Sequence, residues 1–408
     1  MTGNLATARG AGAGSVGGPL LGAIFLMATS AVGPGFITQT TTFTVRLGAA
    51  FAFAILVSIL VDIAVQLNVW RVIGVSGRRA QDLGNAVLPG AGCAMAALVV
   101  FGGLVFNIGN VAGTSLGLDA LFGTEAKIGG AISALVAIGI FLSKRAGIAM
   151  DRIVVVLGVL MIGLTGYVAI VAGPPVGEVL RQSVLPDDVD FLVITTLIGG
   201  TVGGYITYAG AHRLVDAGIS GPEKVAEVSR GSVVALLVTG AMRIVLFLAV
   251  LGVVSGGVVL AGENAAASAF LHAAGEVGLR LFGLILWGAA ITSVIGASYT
   301  SVSFVVTFSP ALERRRNWLV VGFIALSAVL FLVLDRAPAT LLVLAGAING
   351  LILPIGFGVL MWVAARRRDL LGGYRYPRGL LVAGVLTWLL TLYLGVSSLG
   401  GIAALWTG

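Results

Sequence analysis

Long apolar runs, parted by short polar or basic stretches, set the pattern of this chain. About eleven runs approach roughly 20 residues, the length that spans about 30 Å of hydrocarbon. They cover 19–45, 48–72, 89–118, 128–143, 152–172, 191–215, 230–255, 279–308, 317–334, 338–364 and 379–402, the fourth being the shortest. The runs lack the alternation of a half-buried strand, and hydrocarbon demands that every backbone polar group be paired within the segment. The pattern therefore predicts an all-α integral membrane protein of about eleven transmembrane helices.

Two interruptions are near-copies of each other. Val32-Gly33-Pro34-Gly35-Phe36-Ile37-Thr38 breaks the first run, and Val202-Gly203-Gly204-Tyr205-Ile206-Thr207 breaks the sixth. Glycine and proline at mid-membrane depth free backbone groups that lipid cannot satisfy, so such breaks persist where they are buried in protein or line a cavity. A matched pair in corresponding positions of two halves points to a transporter's binding site. The plainer reading, two tolerated kinks, does not account for the repetition of the residues that follow.

The repeat divides the first ten runs into two sets of five. The expected organisation is a flexible cytoplasmic tail over 1–18, a first five-helix repeat over 19–172, a second over 191–364 and an appended eleventh helix over 379–402. An odd number of crossings in the first set gives the second the opposite orientation. Five plus five inverted spans with broken helices 1 and 6 is the leucine-transporter-like architecture. The connection 173–190, with three prolines and four acids, joins the halves, and the Ala-rich 263–276 reads as a short surface helix.

Composition narrows the class further. Hydrophobic residues make up 58% of the 408 and charged residues 10%, with a mean hydropathy of +1.08. The net charge of +7 is distributed by side. The clusters Arg71, Arg78 and Arg79; Lys144, Arg145 and Arg152; Arg314 to Arg316; and Arg366 to Arg368 all fall in alternate connections. That asymmetry puts the N-terminus in the cytoplasm and the C-terminus outside, in the cell inner (plasma) membrane. The basic surplus thus encodes topology, and the partner it implies is the lipid bilayer, not nucleic acid. Cys93 stands alone, so neither an intramolecular disulfide nor a cysteine metal cluster forms. No P-loop or clustered catalytic acids occur, so the chain does not read as an enzyme and no cofactor is expected. The pattern is silent on oligomeric state.

Several segments, in order and spacing, resemble the NRAMP family of proton-coupled divalent-metal transporters. Met27 to Phe36 lies where that family carries its helix-1 Asp-Pro-Gly-Asn, and Gln66 to Gly77 is similar to the end of its helix 2. Gly200-Thr201-Val202-Gly203 matches the helix-6 motif that ends in methionine, and Leu344 to Pro354, with Asn349, is similar to helix 10. In metal-transporting members the helix-1 aspartate and asparagine and the helix-6 methionine bind the ion. Here those positions hold Gly33, Phe36 and Gly203, and the family's helix-6 histidine falls at Tyr205. Glycine and phenylalanine side chains supply no donor to offset dehydration of a divalent ion. The resemblance therefore implies a secondary transporter without the family's metal site. NRAMP-like chains of this type look like those encoded beside 5-oxoprolinase and lactam-utilisation enzymes, which makes 5-oxoproline a candidate substrate. A divalent ion such as Mn²⁺ or Mg²⁺ at a relocated site is the alternative.

Around the breaks the candidate substrate-binding residues are Gly33, Gly35, Phe36, Thr38, Gln39, Gly203, Gly204, Tyr205, Thr207 and Tyr208. Asn107 and Asn110 of the third span, Ser298 and Tyr299 of the eighth, and Asn349 of the tenth are offered by facing helices. These groups are neutral and hydrogen-bonding, and the N-termini of half-helices favour anions. A small organic acid or amino-acid derivative fits that chemistry, with Phe36 and Tyr205 as paired walls. For coupling, Asp62 is the mid-span carboxylate and Arg243 the mid-span cation; a proton carrier and a structural partner of Arg243 are both open readings of Asp62. His212 is a second proton candidate. Carbonyls of Ala28–Val32 with Thr292 and Ser293 resemble the sodium site of the leucine-transporter-like fold, so H⁺ and Na⁺ both remain possible coupling ions.

Overall fold

A computed structural model describes residues 33–216, 218–260, 264–307 and 309–407. The expected tail 1–18, the first half of the first span and the carbonyls of 28–32 lie outside the described residues. Fifteen α-helices follow in order among these residues. They are α1 (Pro34–Leu47), α2 (Phe51–Ser76), α3 (Ala80–Val87), α4 (Ala91–Phe122), α5 (Ala126–Leu142), α6 (Lys144–Ala172), α7 (Val176–Val184) and α8 (Phe191–Thr201). The second half holds α9 (Ile206–Asp216), α10 (Val225–Ser255), α11 (Ala265–Val306), α12 (Pro310–Arg314), α13 (Arg316–Leu334), α14 (Pro338–Arg366) and α15 (Arg378–Thr407). No strand occurs among the described residues.

Among these residues eight stretches are helical, long and apolar enough to cross a membrane, or nine if the bent pair of α6 and α7 counts as one. The expectation of about eleven differs for two physical reasons. Pro34–Ser76 runs through a single 3₁₀ turn at Gly48–Ala50 and holds two expected spans, and α5, with 17 residues, is short. The connection 173–190 is itself partly helical: α7 turns 105° from the end of α6. The expected surface helix is present as the first part of α11, which Gly275 breaks at φ 65, ψ −165. An L side chain rarely adopts that φ, so glycine is required where the helix changes direction.

Burial sorts the helices into a centre and a rim. The α8–α9 pair and α14 are the most enclosed, α13 and α15 the least. Rim helices carry large exposed apolar side chains, among them Ile170, Trp318, Val333 and Leu386. In water such a surface would be costly; facing lipid it is the expected one. Three buried clusters fill the interior. One joins α2, α8, α9 and α14, one joins Phe36 with α10 and α11, and one joins α4 to α5 and α13.

Candidate functional site

A helix starts at each interruption, Pro34 at the first and Ile206 at the second, and the two starts differ. At the first, Gly33 is extended (φ −81, ψ 179) and the helix opens at Pro34 with no side-chain cap. Proline has its φ pre-set for a first helical position, so α1 includes Gly35-Phe36-Ile37-Thr38. At the second, α8 ends at Thr201 and the helix resumes only at Ile206, because no proline sets the start. Gly203 and Gly204 sit in the gap. A Cβ on Gly203 would lie 2.1 Å from the Gly199 carbonyl oxygen, and one on Gly204 would lie 2.8 Å from Ile352 Cγ2. Close backbone approach, more than turn geometry, demands these glycines. The Gly204 N–H donates to the Asn349 carbonyl (3.0 Å), so α14 satisfies part of the freed backbone.

One face of α4 lies across both breaks. Gly102 lies against the Asn349 side chain, Gly103 against Ser301 and Tyr205, Gly109 against Ala345 and Leu342, and Gly113 against Pro34. These positions recur at helical spacing and so share a side of α4. Phe106, on the same side, meets Tyr205 edge to face (5.5 Å between centroids) and also reaches Gly35. Gln39 crosses from α1 toward α8 and α14. Its Nε2 donates to the Leu342 carbonyl (3.0 Å), and its amide lies over Gly200 and Gly346. Asn349 donates through Nδ2 to the Gly102 and Ala345 carbonyls (3.0 and 2.9 Å).

Arg243 of α10 is the strongest feature of the site. Its side chain is buried, and Cζ stands 4.5 Å from the centroid of the Phe36 ring. Nη1 donates to the Thr201 hydroxyl (3.2 Å), the last residue before the second break. One guanidinium therefore touches both breaks. Nε and Nη2 have no partner. They occupy one edge of the planar group, the fork that receives a carboxylate through two parallel hydrogen bonds. Asp62 of α2 is buried beside the same Thr201, in the field of Arg243, with Oδ1 unpartnered. The Thr201 hydroxyl hydrogen already reaches the Leu197 carbonyl (2.8 Å), so it serves Asp62 only by leaving that bond.

Further buried polar atoms without partners lie on α1, α4, α9, α11 and α14: both polar atoms of the Asn110 side chain, Gln39 Oε1, Thr207 Oγ1, Ser301 Oγ and Asn349 Oδ1. Each unmet buried group costs about 1–3 kcal/mol, so these atoms are candidates to meet a polar guest.

The remaining candidates divide. Thr38 is buried on α1 beside the first break. Tyr208 points its hydroxyl at Gly356 and Met95, two helical turns beyond Asn349. Asn107 donates to Ser298 and Ser327 (2.9 and 3.0 Å), tying α4 to α11 and α13 instead of facing the breaks. Tyr299 is partly exposed, and its hydroxyl accepts from Arg316 (2.7 Å). His212 accepts the Ala80 N–H at Nε2 (2.9 Å) and stacks near Phe304, which gives it a capping task at the start of α3. Thr292 bonds back to the Gly288 and Ala289 carbonyls, and Ser293 is half-buried on the same turn. The paired walls are separated: Phe36 lies under Arg243, Tyr205 against Phe106. Sequence reasoning missed Phe106 and Ser301, which nothing local distinguishes from other membrane residues. It named Arg243 only as a possible partner of Asp62; an intramembrane cation was the signal available.

The family model for "Natural resistance-associated macrophage protein-like" chains matches residues 24–400. The chain belongs to the Nramp family. It is 53% identical to a Bacillus subtilis protein described as "Uncharacterized membrane protein YcsG", over 93% of this chain and 94% of that one. A Haemophilus influenzae membrane protein is 52% identical over the same shares. Among solved structures, a manganese transporter of Eremococcus coleocola superposes with a TM-score of 0.73 at 18% identity, covering 98% of this chain and 91% of that one. A nucleobase-cation-symport-1 family transporter superposes with 0.55 at 15% identity, covering 94% and 92%. This Nramp chain is thus a multi-pass membrane protein with a transporter fold shared by leucine-transporter-like proteins. Among its described residues, no three or more His, Cys, Asp or Glu gather where they would hold a metal ion. What this Nramp site offers is one cation, hydroxyls, amides and aromatic rings.

Proposed function

We propose that this Nramp chain is a secondary active transporter that imports a small organic acid or amino-acid derivative, 5-oxoproline being the first candidate, together with H⁺ or Na⁺. The observation that carries this reading is the free Nε–Nη2 edge of buried Arg243, held between Phe36 and Thr201. A solute carboxylate on that edge supplies the counter-charge and both missing acceptors. The Thr207, Ser301 and Asn110 polar atoms then match a second polar end such as a lactam amide, while Phe36, Phe106 and Tyr205 take its apolar body. A divalent cation fares worse, since a fixed guanidinium repels it and the family's ligand positions hold Gly33, Phe36 and Gly203. In this reading the two five-span halves are inverted repeats in the cell inner membrane, with the N-terminus cytoplasmic.

The test is a thermal-shift and calorimetric screen of purified full-length protein against 5-oxoproline, other small carboxylates, lactams, Mn²⁺ and Mg²⁺, with and without sodium. A ligand at 100 times its Kd stabilises by about 2.7 kcal/mol, which such a screen resolves. Stabilisation by a carboxylate with none from the metals supports the reading. Saturable stabilisation by Mn²⁺ or Mg²⁺ and none by any carboxylate overturns it in favour of a relocated metal site.

A further inference from the structure

The substrate reading leaves one buried charge unexplained. Asp62 and Arg243 are enclosed together, yet no hydrogen bond joins them: Thr201 lies between, Asp62 Oδ1 is unpartnered, and the Arg243 fork is free. If the pair were purely structural, direct hydrogen bonding would be expected, because a buried ion pair offsets its desolvation only with good geometry. Two anions, Asp62 and an incoming carboxylate, cannot both be neutralised by one guanidinium in a site of low dielectric.

We propose that Asp62 and the solute carboxylate are alternative counter-ions of Arg243, so that a proton is taken up on Asp62 whenever the carboxylate binds. This rests on the substrate reading above and deepens it. The balance is simple. In the empty state, above its titration point, Asp62 is ionised and Arg243 is neutralised by it. One carboxylate and one proton enter, the proton forming an O–H bond on Asp62, and the net charge of the site is unchanged. On the opposite side both leave and Asp62 again faces Arg243. The transport cycle is an electroneutral, one-to-one symport of carboxylate and proton, and linkage makes the coupling reciprocal: each ligand favours the other.

Arg243 on α10 is the charge that acts on Asp62. Of the other charged or titratable groups on elements packed against α2, His212 is bonded to Ala80, Asp216 to Arg79, Arg181 to Glu178, Lys224 to Glu227 and Arg46 to Asp190. The Tyr208 hydroxyl of α9 is buried without a partner, and Arg230 lies on α10, Arg366 on α14, and Arg378 and Tyr393 on α15.

The experiment compares wild type, Asp62→Asn, Asp62→Glu and Arg243→Gln. Calorimetry across a pH series uses 5-oxoproline and its uncharged amide, and vesicles loaded with a pH dye report proton entry in sodium-free medium. For wild type, 5-oxoproline affinity falls with rising pH, by up to about tenfold per pH unit above the Asp62 titration point, the slope of one linked proton. Asp62→Asn binds at every pH with an affinity at least that of wild type at low pH and moves no protons. Asp62→Glu restores the slope, which a packing role would not. Arg243→Gln loses the preference for 5-oxoproline over the amide. If Asp62→Asn keeps the wild-type slope and proton entry, or if wild-type uptake needs sodium and carries no proton, the coupling inference is false while the substrate reading stands. If 5-oxoproline binds neither wild type nor Asp62→Asn, the 5-oxoproline reading falls and the inference with it.

Discussion

Arg243 Cζ stands 4.5 Å from the centroid of the Phe36 ring, joining a helix of the second half to the first break. A desolvated cation over an aromatic face gains up to about 2 kcal/mol, and the ring also fixes where the free Nε–Nη2 edge points. Phe36→Leu keeps apolar volume and removes the quadrupole. We expect carboxylate affinity to drop about tenfold or more in calorimetry, with the thermal midpoint of the ligand-free protein changed only slightly. Wild-type affinity in this variant would show that Phe36 is ordinary core.

Gly199 and Gly346 set the approach of α8 to α14. A Cβ on Gly199 would lie 1.9 Å from the Gly346 carbonyl oxygen and 2.3 Å from Gly350 N, both backbone atoms that cannot swing aside. Gly199→Ala is expected to cost about 3 kcal/mol of stability, at the upper end for overpacking. Gly139→Ala on α5 meets nothing within 4 Å and is expected to gain about 0.5–1 kcal/mol from helix propensity. Equal unfolding temperatures for the two variants would refute the close approach.

Tyr208 separates a packing residue from a binding one. Its hydroxyl is buried without a partner against Gly356 and Met95. Removing an unsatisfied polar group is neutral to stabilising, so Tyr208→Phe should raise stability by up to about 1 kcal/mol and leave uptake unchanged. A large loss of uptake would instead put that hydroxyl on the solute.

Outside the membrane-spanning helices, Arg181 holds Glu178 and Asp187 together on α7 and the turn that follows. Hydrogen bonds from Arg181 come first among the causes that lower both carboxyl pKa values below the ordinary 4.5 and 3.8. The sign follows: a depressed native pKa adds stability that is fully present above the unfolded value and lost as pH falls through the lowered one. Arg181→Ala should therefore speed local opening of α7, read by hydrogen exchange, at neutral pH and low salt. The difference from wild type should vanish once both carboxyls are protonated, and shrink in high salt.

Periodicity and the hydrogen-bonding demands of backbone in hydrocarbon were enough to establish the class of fold. Apolar runs must become helices, and Gly33-Pro34-Gly35 and Val202-Gly203-Gly204-Tyr205 must interrupt them, because these are local consequences of composition. That Gly33, Phe36 and Gly203 stand where the family's ligands would be is what the resemblance implies, a comparison of residue types position by position. Which polar groups converge was not legible. Arg243 and Phe36 are brought together only when α10 packs against α1, and Asn107, as plausible as Asn110 by sequence, turns away because Ser298 and Ser327 stand on the helices it faces. A helix exposes several faces to several neighbours, and its own residues do not say which neighbour lies where. The glycines of α4 come nearest to saying so, yet even they mark only that something approaches; that it is Pro34, Tyr205 and Asn349 was decided by packing.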